Sequence, residues 1–195
     1  MELTYANQLT ILRMAFVPCF VLLAIYGHRG AATLIFILAG ITDALDGYVA
    51  RKLKQKTLLG SYLDPMADKL LVTSAFVMLS IPSLPFSLHI PVWLTITSIG
   101  RDVLIALVAL IIHLKTGHTE FTPTFLGKCT TTAQLLTIGL ALMGNFMAKF
   151  AMAFFLPVVY STLLLTMSSG FHYLYRSVKL IESYQEAAAD DQKGN

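Results

Sequence analysis

Four aspartates, Asp43, Asp46, Asp64 and Asp68, fall within 26 residues of a largely apolar chain, and a fifth, Asp102, sits in another apolar stretch. An ionised carboxylate inside a membrane helix costs on the order of 2.5–3.5 kcal/mol, so acids grouped this way need a compensating role. Asp43 and Asp46 are three residues apart and Asp64 and Asp68 are four apart, so each pair shares one face of a helix. A short basic loop joins the two pairs, which predicts antiparallel neighbouring helices whose four carboxylates converge. Like charges held close together repel one another unless a cation lies among them. Carboxylate oxygens are hard donors that suit Mg²⁺ or Mn²⁺ rather than zinc, and four carboxylates have room for two ions.

The small residues around the acids fit the same chemistry. Gly47 is four after Asp43 and Ala50 is three after Gly47, so both lie on the acidic face. Glycine inside a helix costs roughly 1 kcal/mol relative to alanine, and here it would let a flat ligand approach the backbone. Arg51 follows at the helix end, where its guanidinium suits a phosphate. Gly60 precedes Asp64 and clears space on the facing helix.

The elements that must position these residues are membrane helices. The chain has 195 residues, of which 56% are hydrophobic and 13% charged, against about 25% charged in a soluble domain. That length accommodates about six spans of roughly 20 residues with short loops. The apolar runs place them near Leu9 to Tyr26, Ala31 to Ala50, Leu58 to Ile81, Pro91 to Leu114, Phe125 to Met147 and Phe150 to Tyr173. The fold class expected is all-α and polytopic, a six-helix membrane domain over residues 1–181 followed by a polar tail over 182–195. That tail is expected to be a helix extension fraying into disorder. Arg13 precedes the apolar run Met14 to Tyr26, but no small-residue cleavage site follows, so the segment reads as a retained first helix rather than a signal peptide.

Basic residues orient the helices. Arg51, Lys52, Lys54 and Lys56 follow the second span, Lys115 and Lys128 flank the loop after the fourth, and Arg176 and Lys179 follow the sixth. The loops on the opposite side carry Arg29 and Lys149. Both termini and the acid cluster are therefore expected on the cytoplasmic face of the cell (inner) membrane. The net charge of +3 is spread over helix ends, which gives no stripe for nucleic acid. Cys19 and Cys129 lack any C-x-x-C spacing, and the five histidines lack metal-ligand spacing, so neither type suggests a metal site or a disulfide framework.

The stretch reads Asp43-x-x-Asp46-Gly47-x-x-Ala50-Arg51, eight residues, Gly60, three residues, Asp64, three residues, Asp68. It resembles, at all eight fixed positions, the signature of the CDP-alcohol phosphotransferases, and the resemblance extends to the six-helix layout. In that family the first three aspartates are metal ligands, which implies Asp43, Asp46 and Asp64 here. Asp68 would also lie near a metal and act as general base. Asp46, Gly47, Ala50, Arg51 and Gly60 match positions that hold the cytidine nucleotide. The resemblance further implies a lipid-embedded homodimer that uses CDP-diacylglycerol, a phosphate-bearing alcohol as acceptor, and Mg²⁺ or Mn²⁺, two ions in all.

The opening Asn7-Gln8-Leu9-Thr10-Ile11-Leu12-Arg13 resembles that of phosphatidylglycerophosphate synthases and of the related cardiolipin synthases. So do Arg101-Asp102 and the run from Gly127-Lys128 to Gln134. Arg101 and Lys128 are the intramembrane cations available to an acceptor phosphate; the alternative is that they pair with Asp102 and hold the helices together. Glycerol 3-phosphate is the acceptor expected first. Phosphatidylglycerol is the alternative, favoured by Arg-Asp at 101–102, where many phosphatidylglycerophosphate synthases have Arg-Glu. A divalent-cation transporter would explain the acids but not Gly47, Ala50, Arg51 and Gly60, and transport sites lie nearer the midplane. A structural ion-pair network is disfavoured, because basic partners within the apolar segments are few.

Overall fold

A computed structural model describes the backbone of residues 5–53, 58–116 and 124–193, with side chains at 10–43, 45, 66–112, 114 and 124–179. Among the described residues there are six helices and no strand: α1 (Tyr5–Ile25), α2 (Arg29–Leu53), α3 (Leu58–Ser80), α4 (Val92–Thr116), α5 (Phe125–Met143) and α6 (Ala148–Lys193). The all-α expectation holds, and each expected apolar segment lies on its own helix. Within the described residues, Val92–Ile112 and Ala148–Lys179 are long and apolar enough to cross a membrane, and Thr10–Ile25 is a shorter apolar helix. Pro18 and Pro157 both sit inside helices.

The longest element is α6, which runs for 46 residues to Lys193 and includes the helix extension expected after the sixth apolar segment. At 1.5 Å per residue that is about 70 Å, roughly twice a bilayer's hydrocarbon core. Its last turns are rich in Ala, Glu, Gln and Lys, all good helix formers, so the polar segment continues the helix.

The chain divides into two compact units. The first comprises Met1–Thr95 and Thr137–Leu156, and the second comprises Ile96–Leu136 and Pro157–Asn195. In the first unit α1 packs on both α2 and α3. Small buried residues, Ala24, Ala32, Ala39, Ala67 and Ala75, line these helices together with Phe20, Leu71 and Phe76. Small side chains let helix backbones approach closely, which is how helices associate where lipid replaces water. The rings of Phe20 and Phe36 meet at a tilt, 5.9 Å between centroids.

The α1–α2 turn is set by Gly27 at φ 78°, a left-handed conformation that favours glycine. His28 donates to the Leu23 carbonyl at 2.9 Å and Gly27 to Ala24 at 3.2 Å, the paired bonds of a Schellman cap. The α3–α4 loop folds back on its own unit, with Ile90 N donating to Leu79 O at 2.9 Å. Ser87 N donates to Asn145 Oδ1 at 3.1 Å.

In the second unit α5 and α6 are joined through threonines. Thr130 Oγ1 donates to the Leu165 carbonyl at 3.1 Å and Thr162 Oγ1 to the Ala133 carbonyl at 3.2 Å. Interhelical hydroxyl bonds of this kind hold helices together where apolar contact alone discriminates little from lipid.

Candidate active site

Thr10, Arg13, Phe20 and Ala24 are all buried. Their spacing of three, seven and four residues puts them on one face of α1, the face turned to α2 and α3. Arg13 therefore enters the first unit's interior with a charge it must have matched. Its Nη2 lies 2.9 Å from Asp43 Oδ1, and its Nη1 donates to Asp68 Oδ1. Asp43 comes from α2 and Asp68 from α3, so one guanidinium joins three helices. Buried Ala39, one turn before Asp43, and buried Ala67, beside Asp68, leave space for α1 to come this close.

The exposures of the three partners differ sharply. The Arg13 side chain is 0% exposed, whereas those of Asp43 and Asp68 are 49% and 47% exposed. The cation is closed in and the carboxylates are half exposed. Of the four acids expected to gather, Asp43 and Asp68 meet at this guanidinium from different helices. The pairing with Arg13 was not expected. Basic partners in the apolar segments are few, as the sequence indicated, but one well-placed guanidinium serves two acids. The sequence did contain a hint of this, a lone arginine in an apolar segment, where an unmatched charge is costly.

Backbone positions are described for Asp46, Gly47, Ala50 and Arg51 on α2 and for Gly60 and Asp64 on α3. Their side chains lie outside the described residues. Among the described residues no three His, Cys, Asp or Glu side chains group as a metal site. The donors that do come together, Asp43 and Asp68, are half-exposed carboxylates, and their oxygen chemistry fits a hard divalent cation.

Arg101 and Lys128 belong to the second unit. Arg101 Nη1 donates to Asp102 Oδ1 at 2.8 Å, and its Nη2 donates to Ser169 Oγ on α6. The Arg101 side chain is 10% exposed, and its Nε is buried without a hydrogen-bond partner among the described residues. Two glycines give it room. A Cβ at Gly127 would stand 3.3 Å from Arg101 Nη2, and one at Gly170 would stand 3.6 Å from its Cγ. Lys128, on α5, is exposed. Sequence reasoning picked out Arg101 and Asp102 but not Ser169, which lies 68 positions away from Arg101.

Residues 3–167 match the profile of the CDP-alcohol phosphatidyltransferase family. The chain is similar to the CDP-diacylglycerol–glycerol-3-phosphate 3-phosphatidyltransferase of Haemophilus influenzae, 39% identical over 134 residues, which are 67% of this chain and 71% of that protein. It is 32% identical over 184 residues to the protein of the same name in Blochmanniella floridana, covering 91% of this chain and 92% of the relative. It is also 31% identical over 196 residues to the human cardiolipin synthase (CMP-forming), covering 92% of this chain and 63% of the longer human protein.

Proposed function

The chain belongs to the CDP-alcohol phosphatidyltransferase family, and from that membership we propose that it transfers the phosphatidyl group of CDP-diacylglycerol to glycerol 3-phosphate, releasing CMP. It is a transferase of phospholipid biosynthesis, and enzymes of this family are divalent-metal dependent. The observation that carries the reading is the meeting of Asp43 and Asp68, from α2 and α3, as half-exposed carboxylates. The choice of glycerol 3-phosphate is supported by the names of the relatives from Haemophilus influenzae and Blochmanniella floridana.

Asp43, Asp46, Asp64 and Asp68 are the residues assigned to hold Mg²⁺ or Mn²⁺, two ions with this donor set. Bound there, such ions supply electrostatic neutralisation of the pyrophosphate and of the departing phosphate. Gly47, Ala50 and Gly60 admit the cytidine nucleotide against the helix backbones, and Arg51 opposes its phosphate. Asp68 accepts the proton of the acceptor hydroxyl as that oxygen attacks the phosphorus attached to diacylglycerol. The bond from that phosphorus to the CMP oxygen breaks in line, and CMP leaves with the electron pair. The protein's part is positioning and electrostatics.

Arg101 and Lys128 are assigned to the acceptor's phosphate. The support is chemical: a guanidinium suits a phosphate, and Asp102 and Ser169 hold the Arg101 fork in one orientation. The basic residues after the second, fourth and sixth segments support six spans in the inner membrane, with both termini and the acids on the cytoplasmic side. The family resemblance supports a homodimer.

A second reading, transfer to phosphatidylglycerol, is favoured by the likeness to human cardiolipin synthase across 92% of this chain. Purified protein in detergent, supplied with CDP-diacylglycerol and Mg²⁺, separates the two when each acceptor is offered alone and CMP release is measured. Release with glycerol 3-phosphate supports the first reading. Release with phosphatidylglycerol alone overturns it in favour of the second.

A further inference from the structure

Arg13 carries a full charge on a side chain with no exposed surface. Taking a guanidinium out of water is costly, and replacing a buried ion pair by well-packed apolar groups is often neutral or stabilising. The same face of α1 is filled by Phe20 and Ala24 further along, so packing alone does not call for a charge at position 13. What the charge does is to be sought in the groups it touches. Those groups, Asp43 and Asp68, come from two different helices and are themselves half exposed. The cation thus lies behind the acids, on the protein side.

Two carboxylates brought this close repel each other, and the repulsion is offset by a cation between or behind them. A divalent ion would serve that purpose from the open side, and the guanidinium serves it from the buried side. Arg13 meets Oδ1 of Asp43 and Oδ1 of Asp68, and a carboxylate can bridge two cations, so pairing and ligation are compatible at the same residue. The two cations nevertheless repel one another. The nearer the fixed one stands, the weaker the mobile one binds.

Resting on the reading of Asp43 and Asp68 as ligands of Mg²⁺ or Mn²⁺, we propose that Arg13 is the internal counter-cation of this acid pair. It holds α2 and α3 acids together in the metal-free protein, and its charge lowers the affinity of the site for a divalent ion. Arg13 is a positioning residue in this scheme. The metal-free first unit keeps its acids in register, and the ion enters a site already formed.

The test uses the full chain in detergent, with Mn²⁺ as the probe. Free Mn²⁺ is read by electron paramagnetic resonance during titration of wild type, Arg13→Lys and Arg13→Gln. Thermal unfolding of each is followed with EDTA and with saturating Mn²⁺. Arg13→Gln is expected to bind Mn²⁺ about tenfold or more tightly, since a fixed positive charge a few ångströms away has been removed. Its melting temperature falls in EDTA, and Mn²⁺ recovers most of the loss. Arg13→Lys keeps the charge and stays near wild type in both measurements.

Equal or weaker Mn²⁺ binding by Arg13→Gln overturns the inference. So does a loss of melting temperature that is the same with and without Mn²⁺, or a failure of all three proteins to bind the ion. If Arg13→Gln does not fold in either condition, the inference also fails, because the ion then does not stand in for the guanidinium. If wild type shows this Mn²⁺ pattern but releases no CMP from CDP-diacylglycerol, the functional reading fails alone.

Discussion

The guanidinium of Arg13 on α1 stands 2.9 Å from the carboxylate of Asp43 on α2, and the same group hydrogen-bonds Asp68 on α3. A fully buried cation therefore ties three helices together at two half-exposed acids. The packing of the first unit and the chemistry of its acids meet in this contact.

Asp68→Asn removes the proposed general base while keeping the side chain's shape. Turnover should fall by about 10²–10⁴-fold, and Asp43→Asn and Asp64→Asn should fall at least as far through loss of metal ligation. CMP release per mole of monodisperse protein checks this. Near wild-type turnover by Asp68→Asn with Mg²⁺ would remove it from the base role.

In either single variant, Asp43→Asn or Asp68→Asn, Arg13 retains one anion. In the double variant both contacted carboxylates are gone, and a side chain with no exposed surface loses that compensation. Removing a charged partner from a buried ion pair costs on the order of 3–5 kcal/mol. The double variant should therefore lose more melting temperature than the sum of the two singles. Simple additivity would mean that the contacts are not coupled through Arg13.

Gly127→Ala places a methyl group 3.1 Å from Thr124 Oγ1 and 3.3 Å from Arg101 Nη2. The guanidinium has to shift against Asp102 and Ser169. If Arg101 holds the acceptor's phosphate, KM for the acceptor rises several-fold while KM for CDP-diacylglycerol changes little. Steady-state kinetics with each substrate varied in turn distinguishes this from a general loss of fold, which would lower the active fraction without selecting one substrate.

Gly144→Ala is the structural control. A Cβ there would lie 2.8 Å from Leu88 Cγ and Cδ1, so the α3–α4 loop must move. Overpacking of this kind costs about 1–3 kcal/mol. The melting temperature should drop, with turnover per folded molecule preserved, because Gly144 and Leu88 contribute no group to the chemistry.

Much of this architecture can be read from residue order. Apolar run lengths give the six helices, and the spacing of Asp43, Asp46, Asp64 and Asp68 marks two acidic helix faces, because both are local properties of the chain. The role of Arg13 is not local. It lies 30 residues before Asp43 and 55 before Asp68, and only the packing of α1 on α2 and α3 turns an arginine in an apolar run into their shared partner. Ser169 was hidden for the same reason, since nothing near it in sequence indicates that α6 brings its hydroxyl to Arg101. The continuation of α6 past its apolar segment is local too, and the helix extension expected there runs to Lys193. Alanine, glutamate, glutamine and lysine extend a helix well once a long apolar segment has nucleated it.

The most direct test is the incorporation of radiolabelled glycerol 3-phosphate into lipid by the purified protein, supplied with CDP-diacylglycerol and Mg²⁺. Label should enter the lipid phase in one-to-one proportion with CMP released, and a chelator should stop both. No incorporation under conditions where phosphatidylglycerol drives CMP release would contradict the assignment of the acceptor, and incorporation undiminished by chelator would contradict the metal role of the acids.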